Sequence, residues 1–152
     1  DKFVPHAEGF ASSLELIAAL KAEGGFNLRV GAYPEQHPEA RNAQADIDFL
    51  KAKFDAGADE AITQFFFEAD TFLRFRDACV KAGIEGMITP GILPVENWNN
   101  TRRFAAGCGA SIPDDLAATF DKAERDNRGE RACNPVEPSP RWLLGSLRPA
   151  RL

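Results

Sequence analysis

The strongest constraint in this chain is a regular alternation of helix-like and strand-like segments between residue 10 and about residue 108. Glycines suited to helix C-termini, Gly25, Gly57 and Gly83, recur after 32 and then 26 residues. That interval matches one strand followed by one helix, which takes roughly 30 residues. Repeated units of this kind favour a parallel α/β fold.

Five helices are predicted from apolar residues that recur on one face. The first ends at Gly24 and Gly25, and Glu15 follows Ser12 at the spacing of a capping box. The predicted caps of the first, third and fourth helices are Ser12 or Ser13, Asp70 and Asn97. The predicted apolar stripes are Leu14, Ile17 and Leu20; Ala43, Ile47, Leu50 and Phe54; Phe72, Phe75 and Cys79; and Leu116 and Phe120. The fourth helix is expected to run through Phe104 and Ala105.

Three strands are predicted, at residues 26–33, 61–67 and 87–93. The near-continuous apolar run of the second predicts burial on both faces, as in a parallel sheet. No glycine-rich fingerprint follows any strand, which disfavours a dinucleotide-binding fold and an unrelated phosphate-binding α/β enzyme. A (β/α)8 barrel needs eight units and about 250 residues. The sequence therefore predicts a partial (β/α)8 TIM barrel of about four units within residues 1–126.

The segment from residue 127 to 152 differs in character. It contains four prolines, and five arginines against two glutamates give it a positive charge inside a chain of net charge −5. It shows no clear periodicity, so we expect it to be a disordered or loosely attached tail.

Composition excludes several classes of protein. A net charge of −5 disfavours nucleic-acid binding, and no apolar run approaches the roughly 20 residues of a membrane span. The three cysteines and two histidines are scattered, which fits neither a disulfide framework nor a metal site. The expectation is a cytoplasmic protein without a metal.

Polar residues follow the predicted strands at the ends where parallel α/β folds bind ligands. After the first strand, Tyr33 and His37 offer rings and hydrogen bonds in a loop stiffened by two prolines. A rigid loop with a packed tyrosine explains them equally well. Asp46 and Lys53 share a helix face, as most solvated surface pairs also do.

Gln64 interrupts an apolar strand, and a buried amide needs partners. Its carboxamide suits a heterocycle with adjacent N–H and C=O groups, such as a pterin. Neighbouring backbone is the alternative partner. Gly91 permits close approach of a ligand to the backbone, or only a bend.

Taken together, these segments resemble methylenetetrahydrofolate reductase. The first matching motif is Ala-Tyr-Pro-Glu-Gln-His-Pro-Glu-Ala at residues 32–40. Asp-Ala-Gly-Ala-Asp at 55–59, Ile-Thr-Gln-Phe-Phe-Phe at 62–67 and Phe-Arg-Asp-Ala-Cys at 75–79 follow in the family's order. Pro-Gly-Ile-Leu-Pro at 90–94, Arg-Phe at 103–104 and Ile-Pro at 112–113 complete the similarity, which spans about residues 10–126.

The resemblance implies an FAD-dependent reduction of 5,10-methylenetetrahydrofolate to 5-methyltetrahydrofolate by NADH or NADPH, in a homo-oligomeric enzyme. The residues that match the family's FAD contacts are Asp1, Tyr33, His37, Asp46 and Lys53. Those that match its folate contacts are Asp1, Gln64, Asn100 and Phe104. Asp1 corresponds to the aspartate that ends the family's Arg-Gly-Asp strand, and Asn100 to a glutamine of some members.

The chain also departs from the family pattern. Phe49 and Ala52 stand where some relatives place polar or basic FAD contacts. The glutamate that acts as the family's general acid belongs to a strand that would precede Asp1, so no catalytic residue is assigned here. We therefore expect a fragment that is inactive alone, and the alternative is a non-catalytic barrel remnant that binds no cofactor.

Overall fold

The computed structural model describes residues 4–125. Along the chain these residues form five helices and three strands, in alternating order until the last two helices. The elements are α1 (Ser13–Glu23), β1 (Arg29–Ala32), α2 (Ala43–Asp55), β2 (Glu60–Phe65), α3 (Ala69–Lys81), β3 (Met87–Gly91), α4 (Trp98–Cys108) and α5 (Asp114–Arg125). The predicted alternation is confirmed, and each strand is shorter than predicted.

Local capping chemistry sets the helix boundaries. The Ser12 hydroxyl accepts a hydrogen bond from the Glu15 amide, and the Glu15 carboxylate accepts one from the Ala11 amide, so Ser12 rather than Ser13 is the cap. Asn97 caps α4, as predicted. The predicted cap at Asp70 is wrong, because Glu68 is the N-cap residue of α3, two residues earlier, and Asp70 lies in the first turn. Its charge still favours the positive end of the helix dipole.

The sheet is parallel throughout, with β2 between β1 and β3. The register places Val30, Ala61 and Ile88 side by side on one face. On that face the apolar stripes of α2 and α3 complete the main core, with Leu50, Phe72, Phe75 and Cys79 buried. Burial of these side chains, at about 25 cal/mol per Å² of apolar surface, holds the helices against the sheet.

The opposite face of the sheet is open within the described residues. Ile62 is 37% exposed and Gln64 is half-buried, so the prediction that β2 is buried on both faces is wrong for this structure. The described helices pack on one side, which leaves the second side to water. A parallel sheet covered on one face is consistent with part of a (β/α)8 barrel, and closure of a barrel stays a prediction.

A second apolar cluster joins the strand ends to α4 and α5. Phe65 and Phe67 pack there with the buried Ala105 and with residues of both helices. The Trp98 indole N–H donates to the Asp121 carboxylate at 2.7 Å, and its ring stacks on Phe120. These contacts make residues 98–125 a packed unit, which we call the α4–α5 hairpin.

Two predictions lie outside the described residues. Asp1 precedes them, and the tail at 127–152 follows them, so the structure describes neither that tail nor the domain boundary at residue 126. Between residues 4 and 125, no helix is long and apolar enough to cross a membrane. The same residues include no cluster of three or more side chains able to hold a metal ion.

The closest backbone approach in the sheet tests the pairing of β2 with β3. A Cβ added at Gly91 would lie 2.1 Å from the Thr63 carbonyl oxygen, and the Gly91 amide donates to the Thr63 hydroxyl. We expect Gly91→Ala to lower the free energy of unfolding by about 1–3 kcal/mol through overpacking. Urea titration followed by circular dichroism measures this change.

Gly107→Ala is the matched control. Gly107 lies inside α4 and a Cβ there meets nothing within 4 Å. Alanine should therefore stabilise the helix by about 0.5–1 kcal/mol. Equal stability of the two variants would contradict the assignment of Gly91 to close backbone packing.

Candidate functional site

At the carboxyl end of β1 lies a cavity of about 460 Å³ between that strand, the following loop and α2. Its wall consists of Gly31, Ala32, Tyr33, His37, Glu39, Ala40, Ala45, Asp46, Phe49, Leu50, Lys53 and Phe75. The four described residues predicted to contact a cofactor, Tyr33, His37, Asp46 and Lys53, all lie in this wall. We call it the β1 cavity, and residues 33–40 the pocket loop.

Hydrogen bonds fix the pocket loop against α2. The His37 amide donates to the Asp46 carboxylate at 2.7 Å, and the Ala40 amide donates to the His37 carbonyl at 2.9 Å. The Tyr33 and His37 rings meet edge to face with centroids 4.5 Å apart. The loop is therefore held by contacts within the protein, and its two rings also line the cavity.

Lys53 is the cation of the β1 cavity. Its ammonium group donates to the Gly31 carbonyl at 3.0 Å and lies 4.9 Å from the centroid of the Phe49 ring. Burial lowers the pKa of Lys53, and the carboxylate of Asp46 partly opposes that effect. Asp46 and Lys53 are thus half-buried cavity residues and not a solvated surface pair. An ammonium group has three donors, so this cation can also bind an anion.

Tyr33 keeps its proton in this setting. Burial raises the pKa of its phenol, and electrostatic interactions with Cys108 and Asp46 add to that effect. A protonated phenol offers one donor and an acceptor to a bound molecule. The β1 cavity therefore combines a cation, a carboxylate, a phenol and apolar surface from Phe49 and Leu50.

Gln64 lies beside this site, on the open face of the sheet. It lines a second cavity of about 350 Å³, together with Tyr33 and Ile62. Its carbonyl oxygen accepts from the Phe65 amide at 3.0 Å, so backbone satisfies the acceptor, as the alternative interpretation proposed. Among the hydrogen bonds described for residues 4–125, its amide N–H groups take no part and remain available to a ligand.

The other predicted substrate residues lie on α4. The Phe104 ring is 52% exposed and stacks on Phe65, with centroids 5.3 Å apart, which places it next to the end of β2. Asn100 is exposed one turn earlier, and its carbonyl oxygen accepts from Arg103. Neither residue lines the two cavities.

Several wall residues of the β1 cavity were not predicted from sequence, and Phe49 and Phe75 contribute the largest side chains among them. Phe49, noted there only as a departure, supplies the ring beneath Lys53. Phe75 reaches the cavity from the core stripe of α3, so one face of a helix serves both packing and the cavity wall. Periodicity identifies such residues as buried and gives no sign that they border an open space.

The sequence model of the family "Methylenetetrahydrofolate reductase" matches residues 1–134, which includes Asp1 and extends past residue 126. The chain is 51% identical over 112 residues to the 5,10-methylenetetrahydrofolate reductase of Escherichia coli (strain K12), and 49% identical over 112 residues to that of Pectobacterium carotovorum subsp. carotovorum. Each alignment covers 74% of this chain and 38% of the relative.

A plant protein is also similar. The chain is 36% identical over 143 residues to methylenetetrahydrofolate reductase (NADH) 1 of Arabidopsis thaliana, which covers 87% of this chain and 24% of that protein. This chain therefore spans well under half the length of the curated relatives it matches.

The burial of Lys53 gives a test of the cavity by protein stability. Because its pKa is lowered on folding, its charged form destabilises the fold below that lowered pKa, and the effect disappears above the unfolded value of about 10.4. We expect Lys53→Met to raise the melting temperature of the ligand-free protein at pH 7, with the gain shrinking towards pH 10.5. Differential scanning calorimetry at the two pH values measures both changes.

Lys51→Met serves as the control, because Lys51 pairs with Asp55 on the exposed surface of the same helix. Such a pair contributes about 0–1 kcal/mol, so little change is expected at either pH. A lower melting temperature for Lys53→Met at pH 7 would show that Lys53 is a structural cation.

Proposed function

The chain belongs to the methylenetetrahydrofolate reductase family, and on that premise we propose that it binds FAD in the β1 cavity and folate beside Gln64. The proposed reaction is the reduction of 5,10-methylenetetrahydrofolate to 5-methyltetrahydrofolate, with NADH or NADPH as electron donor. Because the chain spans 38% of its bacterial relatives, this activity is proposed for the residues as part of a complete barrel.

One observation carries the proposal. Tyr33 and His37 come from the pocket loop, Asp46 and Lys53 come from one face of α2, and all four border one cavity of about 460 Å³. FAD combines flat rings, hydroxyl groups and an anionic pyrophosphate. The half-buried ammonium of Lys53 suits the anion, while Asp46 and Tyr33 suit hydroxyl groups and Phe49 suits a flat apolar surface.

Backbone at the cavity mouth also fits a bound group. A Cβ added at Gly31 would meet nothing within 4 Å, so space lies open above this strand residue. The pocket loop is held before any ligand arrives by the hydrogen bond from His37 to Asp46. A site that is already ordered loses less entropy when it binds.

The folate side rests on three described residues. The free amide N–H groups of Gln64 can donate to a pterin carbonyl or ring nitrogen, and Phe104 offers an exposed ring at the end of β2. Asn100 and Asp1 are proposed as further contacts on the similarity alone. When bound, the flavin supplies the hydride transfer between the nicotinamide and the folate. The protein's share is to hold both partners on one flavin face and to exclude water.

The alternative is a non-catalytic barrel remnant without cofactor, which the open sheet face favours. The absorbance spectrum of the 152-residue protein purified with added FAD distinguishes the two. A bound flavin band near one equivalent supports the cofactor site, and a colourless protein supports the remnant. NADH oxidation with menadione then tests reduction of the flavin. We propose that this polypeptide alone does not convert methylenetetrahydrofolate, since among residues 4–125 no helix covers the sheet face that carries Gln64.

Gln64→Ala tests the folate assignment. We expect it to weaken folate binding by about 1–3 kcal/mol, because a pterin edge loses its hydrogen-bond partner, and to leave FAD affinity unchanged. Isothermal titration of the 152-residue chain with folate and with FAD measures both affinities.

Gln44→Ala is the matched control, since Gln44 is an exposed helical glutamine that pairs only with Asp48. It should change neither affinity. Loss of FAD binding with unchanged folate affinity in Gln64→Ala would reverse the role given to this residue.

A further inference from the structure

A carboxylate in the pocket loop reaches across the molecule to the α4–α5 hairpin. Both carboxylate oxygens of Glu35 accept from the Ser111 amide, at 2.9 and 3.0 Å, across a separation of 76 residues. A hydrogen bond to a charged acceptor is among the stronger ones in proteins. Ser111 lies in the corner between α4 and α5, so this contact ties that corner to the pocket loop.

The backbones of the pocket loop and the α4–α5 corner also pack closely against each other, and we call this contact the seam. A Cβ added at Gly109 would lie 3.0 Å from the Gln36 carbonyl oxygen and 3.6 Å from the Pro38 ring. Gly109 also ends α4 in a left-handed conformation, at φ 70°. The glycine therefore suits this position twice, since it adopts the left-handed conformation and leaves room for the Gln36 carbonyl.

The two sides of this seam belong to different parts of the proposed site. The pocket loop carries Tyr33 and His37 in the wall of the β1 cavity. The hairpin carries Phe104, whose ring stacks on Phe65 at the end of β2. The hydrogen bond from Trp98 to Asp121 holds the two helices of the hairpin together. A displacement of the corner between them is therefore expected to move α4 as well.

We infer that Glu35 is a positioning residue that holds the α4–α5 corner, and with it Phe104, in a fixed relation to the β1 cavity. The inference deepens the proposed function, because it gives the cofactor side and the folate side a shared mechanical connection. Glu35 itself is absent from the wall of the β1 cavity and is assigned no contact with FAD.

Amide hydrogen exchange resolved at residues 108–112 tests this inference in the ligand-free, full 152-residue protein. Glu35→Ala should raise exchange at Ser111 by about tenfold or more, since the amide loses a charged acceptor. Glu35→Gln keeps a carbonyl oxygen and should restore most of the protection. Glu85→Ala removes an exposed carboxylate elsewhere and should leave exchange at 108–112 unchanged. Equal protection in the wild type and Glu35→Ala would overturn the inference.

Addition of FAD separates this inference from the proposed function. In the wild type, FAD should slow exchange at residues 31–53 and also at 108–112, and in Glu35→Ala the effect should stop at 31–53. FAD protection confined to 31–53 in the wild type would overturn the coupling. Absence of any FAD effect would defeat the proposed function, and the ligand-free comparison would still decide the role of Glu35.

A second variant guards against misfolding. If Glu35→Ala loses its native circular dichroism spectrum, Glu35→Asp replaces it, because its carboxylate is one methylene shorter. Faster exchange at Ser111 in a folded Glu35→Asp protein supports the tie, and wild-type exchange in that variant contradicts it.

Discussion

Parallel pairing of β2 with both of its neighbours is the constraint on which the rest of this structure depends. It brings the carboxyl ends of three strands to one edge, although 26 or more residues separate them along the chain. The pocket loop, Gln64 and the segment after β3 meet at that edge because of the strand register. A one-residue slip of β2 would turn Gln64 into the helix-covered core and expose Thr63 and Phe65.

In the β1 cavity, two half-buried charged side chains bind backbone groups and form no direct ion pair with each other among the described contacts. One carboxylate oxygen of Asp46 accepts a hydrogen bond from the His37 amide, and the Lys53 ammonium donates one to the Gly31 carbonyl. Both partners are backbone groups, so neither side chain neutralises the other through a direct ion pair among the described contacts. The cavity therefore keeps charges of both signs available, at the cost of their partial desolvation.

Local sequence predicts much of the fold, namely where helices end and which helix faces are buried. Helix stops at Gly25, Gly57 and Gly83 lie in regions of positive φ, which only the absence of a Cβ makes easy. The apolar stripes identified the core faces of α2 and α3. Sequence alone did not reveal that Asp70 follows the Glu68 cap by two residues, since an aspartate is favourable both as a cap and in the first turn of a helix.

Long-range partners were beyond that reasoning altogether. The same apolar run in β2 that predicted burial on two faces carries no information on how many helices are present to cover them. In the sequence Glu35 is not distinguished from other loop carboxylates, because its partner Ser111 lies 76 residues away along the chain. The similarity to a family pointed to Tyr33, His37, Asp46 and Lys53, and the structure brings these four together while leaving Asn100 apart.

The wall of the β1 cavity has a consequence for folding kinetics. Apart from Phe75, every wall residue lies between Gly31 and Lys53, within one strand, one loop and one helix. Loops this short close at little entropic cost, and contacts of low sequence separation form early. The contact between Glu35 and Ser111 can form only after most of the chain has folded, because 76 residues separate them. The molecule is therefore expected to acquire its pocket first and its connection to the α4–α5 hairpin last, so the pocket can form while that hairpin is still unfolded.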